Sequence, residues 1–173
     1  MGNKKPELIL MCGISGSGKT TFAKDYASKH GFLYLCPDDF YGVFHGDDRI
    51  HTYQFEVWIS LFQAIHVAEI SGRNCIVDTN APTVVDRVQF INWFPGFDHQ
   101  VFCIITPPEV CLERNRKRRR VIPEDVMDRM IASFQMPFAE EDTRWKRIRY
   151  FRSNTTCQGF VEVNETYPRY LCT

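Results

Sequence analysis

A glycine-rich segment near the start of the chain has the residue types and spacing of a phosphate-binding loop. Residues 13–20 read GISGSGKT, which fits the pattern G-x-x-x-x-G-K-[ST]. In such a loop the glycines let consecutive backbone N–H groups point at phosphate oxygens, and the lysine adds a positive charge near the β- and γ-phosphates. The helix that begins here also aims its positive end at the anion. The pattern therefore predicts binding of a nucleoside triphosphate.

The predicted nucleotide contacts come from this loop and from the first turn of the helix after it. Lys19 is the predicted catalytic cation, and the Thr20 hydroxyl is a predicted ligand of Mg²⁺. A dinucleotide-binding fingerprint is disfavoured because no third glycine stands in register after Gly18. A glycine turn that only joins a strand to a helix would not need the Lys-Thr pair. The predicted ATP-binding residues of this segment are Gly13, Ser15, Gly16, Ser17, Gly18, Lys19, Thr20 and Thr21.

Length and composition set the class of protein. The 173 residues suit one α/β domain with a full core, so we expect a single domain over residues 1–173. No window of eighteen uncharged apolar residues and no signal-peptide pattern is present, which predicts a cytoplasmic protein without membrane contact. The seven cysteines form an odd set without a C-x-x-C pair and predict reduced, mostly buried thiols. The five histidines show no ligand spacing and are expected at the surface or in caps.

Apolar runs and helical spacing alternate along the chain. A doubly wound, mainly parallel α/β sheet follows from this alternation, with ligands at the carboxyl ends of the strands. The apolar runs predict strands at residues 8–12, 32–36, 75–77, 101–105, 147–151 and 160–163. The helical patterns lie at residues 19–30, 53–70, 83–94, 109–118 and 123–136.

Acidic and amide side chains follow the second and third predicted strands. Asp38 and Asp39 follow one strand, and Asp78 and Asn80 follow the other. Transfer of a γ-phosphoryl group requires a base for the acceptor hydroxyl, Mg²⁺ and cations over the transferring group. Either residue of the Asp pair is a candidate base, and the alternative for the pair is an ordinary turn. Asp78 is a candidate for the Mg²⁺ site or, with Asn80, for binding the acceptor, and its alternative role is a cap or turn.

A basic run follows the fourth predicted strand. Residues 114–152 carry twelve Lys and Arg against six Asp and Glu, whereas residues 7–113 carry six against thirteen. A helix over residues 109–118 would place Arg114 and Arg118 on one face, where only an anion such as a triphosphate offsets their repulsion. The position of the run favours an Arg-rich helical lid over about residues 109–136. The alternative is a solvated basic face.

In this order the motifs resemble the polynucleotide 5′-kinase family of P-loop phosphotransferases found in phage and bacterial nucleic-acid repair. The resemblance covers about residues 7–136 and implies that Asp38 is the general base. It also implies that Lys19, Thr20 and the lid residues Arg114 and Arg118 handle ATP. Arg118 is in addition a predicted catalytic residue, and Asp39 is a predicted acceptor-binding residue. The resemblance rests on residues 13–20 (GISGSGKT), 38–40 (DDF), 78–80 (DTN), 114–115 (RN) with 118, and 122–126 (IPEDV).

One position departs from that family. The family has an arginine three residues after the base to hold the phosphate of the acceptor, and this chain has Tyr41 there. Arg49 and Arg73 are the candidates to replace it from elsewhere in the fold.

The expected activity is transfer of the γ-phosphate of Mg²⁺-ATP to a 5′-hydroxyl of RNA or DNA. A nucleoside triphosphate and a nucleic-acid acceptor are the expected partners, and no stable protein partner is predicted. One alternative is a P-loop kinase for a small-molecule or nucleotide-sugar hydroxyl, which Tyr41 favours and the basic segments oppose. Another is an ATP-binding regulatory module without catalysis. The tail over about residues 153–173 has no predicted role.

Overall fold

The computed structural model describes residues 4–45, 54–139, 142–154 and 159–163. Within these ranges one sheet contains β1 (Glu7–Cys12), β2 (Leu33–Leu35), β3 (Cys75–Val77), β4 (Asp98–Ile105), β5 (Trp145–Asn154) and β6 (Gly159–Val163). The strand order is β2-β3-β1-β4-β5-β6, and every neighbouring pair is parallel except β5 and β6. The predicted doubly wound, mainly parallel sheet is therefore confirmed.

The helices connect these strands and cover both faces of the sheet. Each predicted helix is present, with shifted ends in several cases, and one further helix follows β2. The helices of the described ranges are α1 (Lys19–His30), α2 (Pro37–His45), α3 (Gln54–Ile70), α4 (Val84–Trp93), α5 (Pro108–Arg116) and α6 (Glu124–Ser133). None of them is long and apolar enough to cross a membrane.

The central strand β1 positions the glycine loop. Residues 8–12 are all fully buried, because β3 and β4 flank this strand and helices cover both of its faces. The side chains of residues 8, 10 and 12 pack in a cluster with α3 and α4, whereas those of residues 9 and 11 pack against α1. The chain consequently leaves the sheet at its carboxyl edge, between the two helical layers, where the loop begins.

One alternative and two sequence predictions need correction. The Asp38-Asp39 pair lies in the first turn of helix α2, which excludes the alternative of an ordinary turn. Helix α5 ends at Arg116, so Arg118 lies beyond it and does not share a helix face with Arg114. Helix α6 ends at Ser133, three residues before the predicted end.

The cysteine prediction is confirmed where the structure describes it. All five described cysteines are buried thiols, namely Cys12, Cys36, Cys75, Cys103 and Cys111. Cys157, Cys172 and the part of the tail after residue 163 lie outside the described residues.

His99 on β4 is a buried residue rather than the surface or cap residue expected. It is 3% exposed, and its ring lies 6.1 Å from that of Trp145 and 6.3 Å from that of Phe97. Burial disfavours the charged imidazolium and lowers the pKa of His99 from 6.5 to about 4. Within the described residues its Nε2 has no hydrogen-bond partner.

Acid is therefore expected to destabilise the fold through His99. The pKa of His99 is lower in the folded state than in the unfolded state. Its contribution to the free energy of unfolding is therefore fully present above pH 6.5 and is lost as pH falls towards about 4. The loss approaches about 3 kcal/mol when both states are protonated. Urea unfolding between pH 4 and 7 measures it, and His99→Leu should remove this part of the pH dependence. An unchanged dependence in the variant would assign the acid sensitivity to other groups.

Candidate active site

The glycine loop fits closely between the end of β4 and helix α5. Gly13 and Gly16 have φ values of +140° and +88°, in the region that favours glycine. A Cβ on Gly13 would lie 2.8 Å from the carbonyl oxygen of Ile104, and one on Gly16 would lie 2.6 Å from that of Cys111. Glycine is thus required at both positions by backbone conformation and by space.

Lys19 is buried inside this loop. It is 7% exposed, and its Nζ donates to the carbonyl oxygens of Gly13 (2.7 Å) and Ile14 (2.9 Å). Burial lowers the pKa of its ammonium group from the usual 10.5, while the negative charge of Asp78 acts in the opposite direction. The first turn of α1 therefore holds a desolvated cation within the curve of the loop, where phosphate oxygens bind in loops of this kind.

The segment after β3 lies directly beside the loop. Asp78 is 5% exposed, its backbone N–H donates to Leu35 (2.8 Å), and its Oδ2 accepts a hydrogen bond from the Tyr34 hydroxyl (2.9 Å). The carbonyl oxygen of Asn80 accepts a hydrogen bond from the backbone N–H of Gly13 (3.3 Å). The structure therefore brings Asp78 and Asn80 together with the loop, as the convergence of parallel strand ends predicts.

The Asp pair lies at the same edge of the sheet, on α2. Both side chains are exposed to solvent. Desolvation of its carboxylate raises the pKa of Asp39, and the nearby negative charges of Asp38 and Asp78 raise it further. The Nη1 of Arg120 lies 3.8 Å from Oδ1 of Asp38. Arg120 is also close enough to Tyr41 to oppose the rise in the pKa of that buried phenol. A guanidinium from the basic run thus faces the candidate base.

Arg120 was absent from the predicted site. The sequence argument selected Arg114 and Arg118 by helical spacing, but the helix ends before Arg118, and the chain then carries Arg120 to the Asp pair. Only the length of the basic run, which continues four residues beyond the end of α5, signalled that some of its cations leave the helix.

The two predicted lid arginines have different surroundings. Arg114 donates from Nη1 to the carbonyl oxygens of Gly16 (3.2 Å) and Ser17 (3.4 Å), and from Nη2 to the Ser153 hydroxyl (3.1 Å). Arg118 is exposed, and its positive charge contributes to lowering the pKa of Lys19. Arg114 therefore links the loop to β5, whereas Arg118 adds positive potential near the loop.

Arg73, one of the two suggested replacements for the arginine missing at position 41, lies away from the site. Arg73 lies in the turn before β3, where its backbone N–H donates to Ala68 (2.9 Å), and this is the amino end of the strand. The candidate site is at the carboxyl ends, so Arg73 is at the wrong edge of the sheet. Arg49 lies outside the described residues.

The predicted lid is joined internally and to the loop. Asn115 is 1% exposed, donates to the carbonyl oxygen of Ile122 (2.8 Å) and accepts from its backbone N–H (3.1 Å). Ile14 of the loop shares a small apolar cluster with Cys111 of α5 and Met127 of α6. The connection between the two lid helices is therefore fixed by a buried amide, and both helices contact the loop.

Possible metal ligands near the loop are few. In the described ranges no group of three or more His, Cys, Asp or Glu is arranged to hold a metal ion. Nucleotide sites commonly bind Mg²⁺ through one or two protein groups together with phosphate oxygens and water, so no such group is needed. The exposed Thr20 and the buried Asp78, which lies close to the loop, are the residues that fit this arrangement.

A glycine loop after the central parallel strand, a lysine buried within it and carboxylates after the neighbouring strands define a P-loop kinase. A family model described as an AAA domain (AAA_33) matches residues 8–137, and the chain belongs to this family. No curated protein matches the chain.

Solved structures share the fold at low sequence identity. A putative kinase from Chloroflexus aurantiacus is 17% identical with a TM-score of 0.69, over 88% of this chain and 91% of that one. A chain of the Pnkp1/Rnl/Hen1 RNA repair complex is 19% identical with a TM-score of 0.68, over 75% of this chain and 44% of that one. A gluconokinase from Sinorhizobium meliloti is 18% identical with a TM-score of 0.57, over 86% of this chain and 83% of that one. The chain thus spans less than half the length of the matched RNA repair chain.

Proposed function

We propose that the protein transfers the γ-phosphate of Mg²⁺-ATP to a 5′-hydroxyl of RNA or DNA. The observation that carries the proposal is the pair formed by Asp38 and Arg120 at the same edge of the sheet as the glycine loop, with Nη1 of Arg120 and Oδ1 of Asp38 3.8 Å apart. A carboxylate there can accept the proton of a hydroxyl, and a guanidinium next to it can hold a phosphate of the same acceptor.

ATP is held by the loop. Backbone N–H groups of the glycine loop and the positive end of α1 bind the phosphates. Lys19 exchanges its two carbonyl partners in the loop for β- and γ-phosphate oxygens, and Arg118 adds positive charge over the transferring group. Thr20 and Asp78 would hold Mg²⁺, which neutralises charge on the phosphates when bound.

The acceptor reacts at Asp38. The hydroxyl oxygen forms a bond to the γ-phosphorus as its proton passes to the Asp38 carboxylate, and the bond from the γ-phosphorus to the bridging oxygen breaks, so that ADP leaves. Asp39 and Asn80 are proposed to orient the acceptor from the same edge of the sheet. Arg114 supports the shape of the loop through its bonds to Gly16 and Ser17.

A nucleic-acid acceptor is supported by the cations near the base. Position 41 is a tyrosine and not an arginine, and Arg120 supplies the missing phosphate contact. Arg120 belongs to a run of five consecutive Lys and Arg residues at 116–120. The likeness to a chain of an RNA repair complex agrees with this acceptor. The buried Tyr41 and the likeness to a gluconokinase favour the second candidate, a kinase for a small-molecule hydroxyl.

The salt dependence of the reaction distinguishes these acceptors. The assay follows γ-labelled phosphate from Mg²⁺-ATP to single-stranded RNA and DNA with 5′-hydroxyl ends, with a metabolite pool in parallel. We expect label on the oligonucleotides and a KM that rises steeply with salt, since phosphate contacts release counterions. Arg120→Ala should raise that KM about ten-fold and reduce the logarithmic salt slope by about 0.7, the value for one single-strand phosphate contact.

Arg129 provides the matched control for charge. It is exposed on α6 and pairs with Asp125 (2.8 Å), so Arg129→Ala should leave the salt slope unchanged. Label that enters only the metabolite pool, with a KM insensitive to salt, would overturn the nucleic-acid acceptor and favour the small-molecule kinase.

A further inference from the structure

A cavity of about 580 Å³ lies between the glycine loop and helices α3 and α4. Gly13 and Ile14 of the loop line it together with residues 79–82. Its volume is within the range of small-molecule pockets, about 300–1,000 Å³. The cavity is therefore large enough for one ring system and is adjacent to the place where phosphate oxygens bind.

Four aromatic side chains form one wall of this cavity. Trp58 and Phe62 come from α3, and Phe90 and Trp93 come from α4. The Phe62 ring lies 4.7 Å from that of Trp93 and 5.7 Å from that of Trp58. Trp93 nevertheless remains 46% exposed, which is a large apolar surface left open to water. The wall is thus a connected set of rings in which Trp93 offers surface for stacking.

The position of this wall is fixed by the start of α4. The Thr83 side chain accepts a hydrogen bond from the backbone N–H of Asp86 (3.2 Å), and the Asp86 carboxylate accepts one from the Thr83 backbone N–H (3.1 Å). Such a reciprocal cap satisfies two backbone donors that would otherwise lack helical partners. The first turn of α4, the helix that carries Phe90 and Trp93, is therefore capped before any ligand binds.

The charges of the cavity select against anions. Among the described residues, its lining includes no Lys or Arg and one carboxylate, that of Asp86. An anionic metabolite would gain no ion pair there, whereas a neutral flat ring would stack on the aromatic faces. Asn80 and Gln89 also line the cavity and carry amide donors and acceptors suited to the edge of such a ring.

We propose that this cavity binds the nucleobase of the terminal nucleotide whose 5′-hydroxyl is phosphorylated, with the base stacked on Trp93. The inference rests on the proposed function and names the part of the acceptor that the site recognises. The base occupies the aromatic cavity, while the phosphate of the acceptor lies outside it near Arg120.

The test compares two oligonucleotides that differ only at the first residue. One carries a 5′-terminal thymine, and the other carries an abasic tetrahydrofuran there, with the same 5′-hydroxyl and phosphates. We expect the abasic acceptor to have a kcat/KM about ten-fold or more below that of the normal one. Trp93→Leu should lower the kcat/KM of the normal acceptor to the value of the abasic acceptor. Phe55→Leu is the control variant. It removes an aromatic residue of α3 that is 73% exposed and does not line the cavity, so the difference in kcat/KM between the two oligonucleotides should remain.

A binding measurement separates the cavity from catalysis. Tryptophan fluorescence is titrated with thymidine 3′-monophosphate or with base-free deoxyribose 3-phosphate, in the presence of a non-hydrolysable ATP analogue that fills the nucleotide site. We expect quenching by the first compound alone and its loss in Trp93→Leu. Equal quenching by both compounds would place a sugar in the cavity and overturn the inference.

The outcomes for the two proposals are distinct. Equal phosphorylation of both oligonucleotides would overturn the base-binding cavity and leave the proposed function intact. If neither oligonucleotide is phosphorylated, the proposed function fails and the titration decides the cavity: quenching that depends on the base and on Trp93 supports it, and absence of quenching overturns it.

Discussion

Replacing Asp38 with Asn is expected to lower kcat for phosphoryl transfer by about 10²–10⁴-fold, the usual contribution of a general base. The amide keeps the size of the side chain but does not accept the proton. The Kd for Mg²⁺-ATP should remain within about two-fold, because Asp38 lies on α2 and not in the glycine loop. Single-turnover transfer to a 5′-hydroxyl oligonucleotide and calorimetric titration with ATP measure the two quantities separately.

Asp39→Asn is the matched control for this prediction. It removes a carboxylate from the same helical turn, and we expect it to raise the KM of the acceptor more than it lowers kcat. Equal losses of kcat in both variants would mean that the two carboxylates act as a unit. Full activity in both would exclude the pair as the base, whereas ATP binding without any transfer by the unmodified protein would favour the ATP-binding module without catalysis.

The part of the fold that binds phosphate could be predicted from sequence because local rules determine it. A buried strand, glycines with positive φ and a helix that begins at Lys19 are all encoded within fourteen residues, from Glu7 to Thr20. The helix α2 was missed although its start has the same signal that correctly predicted α6. Pro37 is followed by two acidic residues, just as Pro123 is, and prolines and carboxylates favour a helical first turn.

The rest of the site depends on contacts that no local pattern contains. Arg120 reaches Asp38 across 82 positions of the chain, and this contact follows from the end of α5 and the path of residues 117–120. The aromatic cavity likewise requires two helices to face each other. Helical spacing predicted α3 and α4 but not that Trp58 and Trp93 would meet on one wall, since apolar spacing identifies a helix without identifying its partner.

Replacing Lys19 with Met is expected to lower kcat/KM for phosphoryl transfer by about 10²–10³-fold, the cost of removing one preorganised donor to a charge that develops in the transition state. The Kd for ATP should also rise, because the ammonium is proposed to contact the β- and γ-phosphates in the ground state. This differs from Asp38→Asn, where ATP affinity is retained. The calorimetric Kd of the two variants therefore distinguishes the phosphate contact from the proton acceptor.

The stability of Lys19→Met shows whether the loss is functional. In the unmodified protein the Lys19 ammonium is desolvated, which lowers its pKa. Hydrogen bonds to two loop carbonyls offset the free-energy cost of this desolvation. A methionine of similar length fills the same space without a buried charge, so the free energy of unfolding should change by less than about 1 kcal/mol. Lys29→Met, which removes an exposed cation from the same helix, should leave both activity and stability unchanged. If Lys19→Met instead unfolds the protein, the ammonium is a structural part of the loop. Its low activity would then carry no information on phosphate binding, and Asp38→Asn alone would have to test the site.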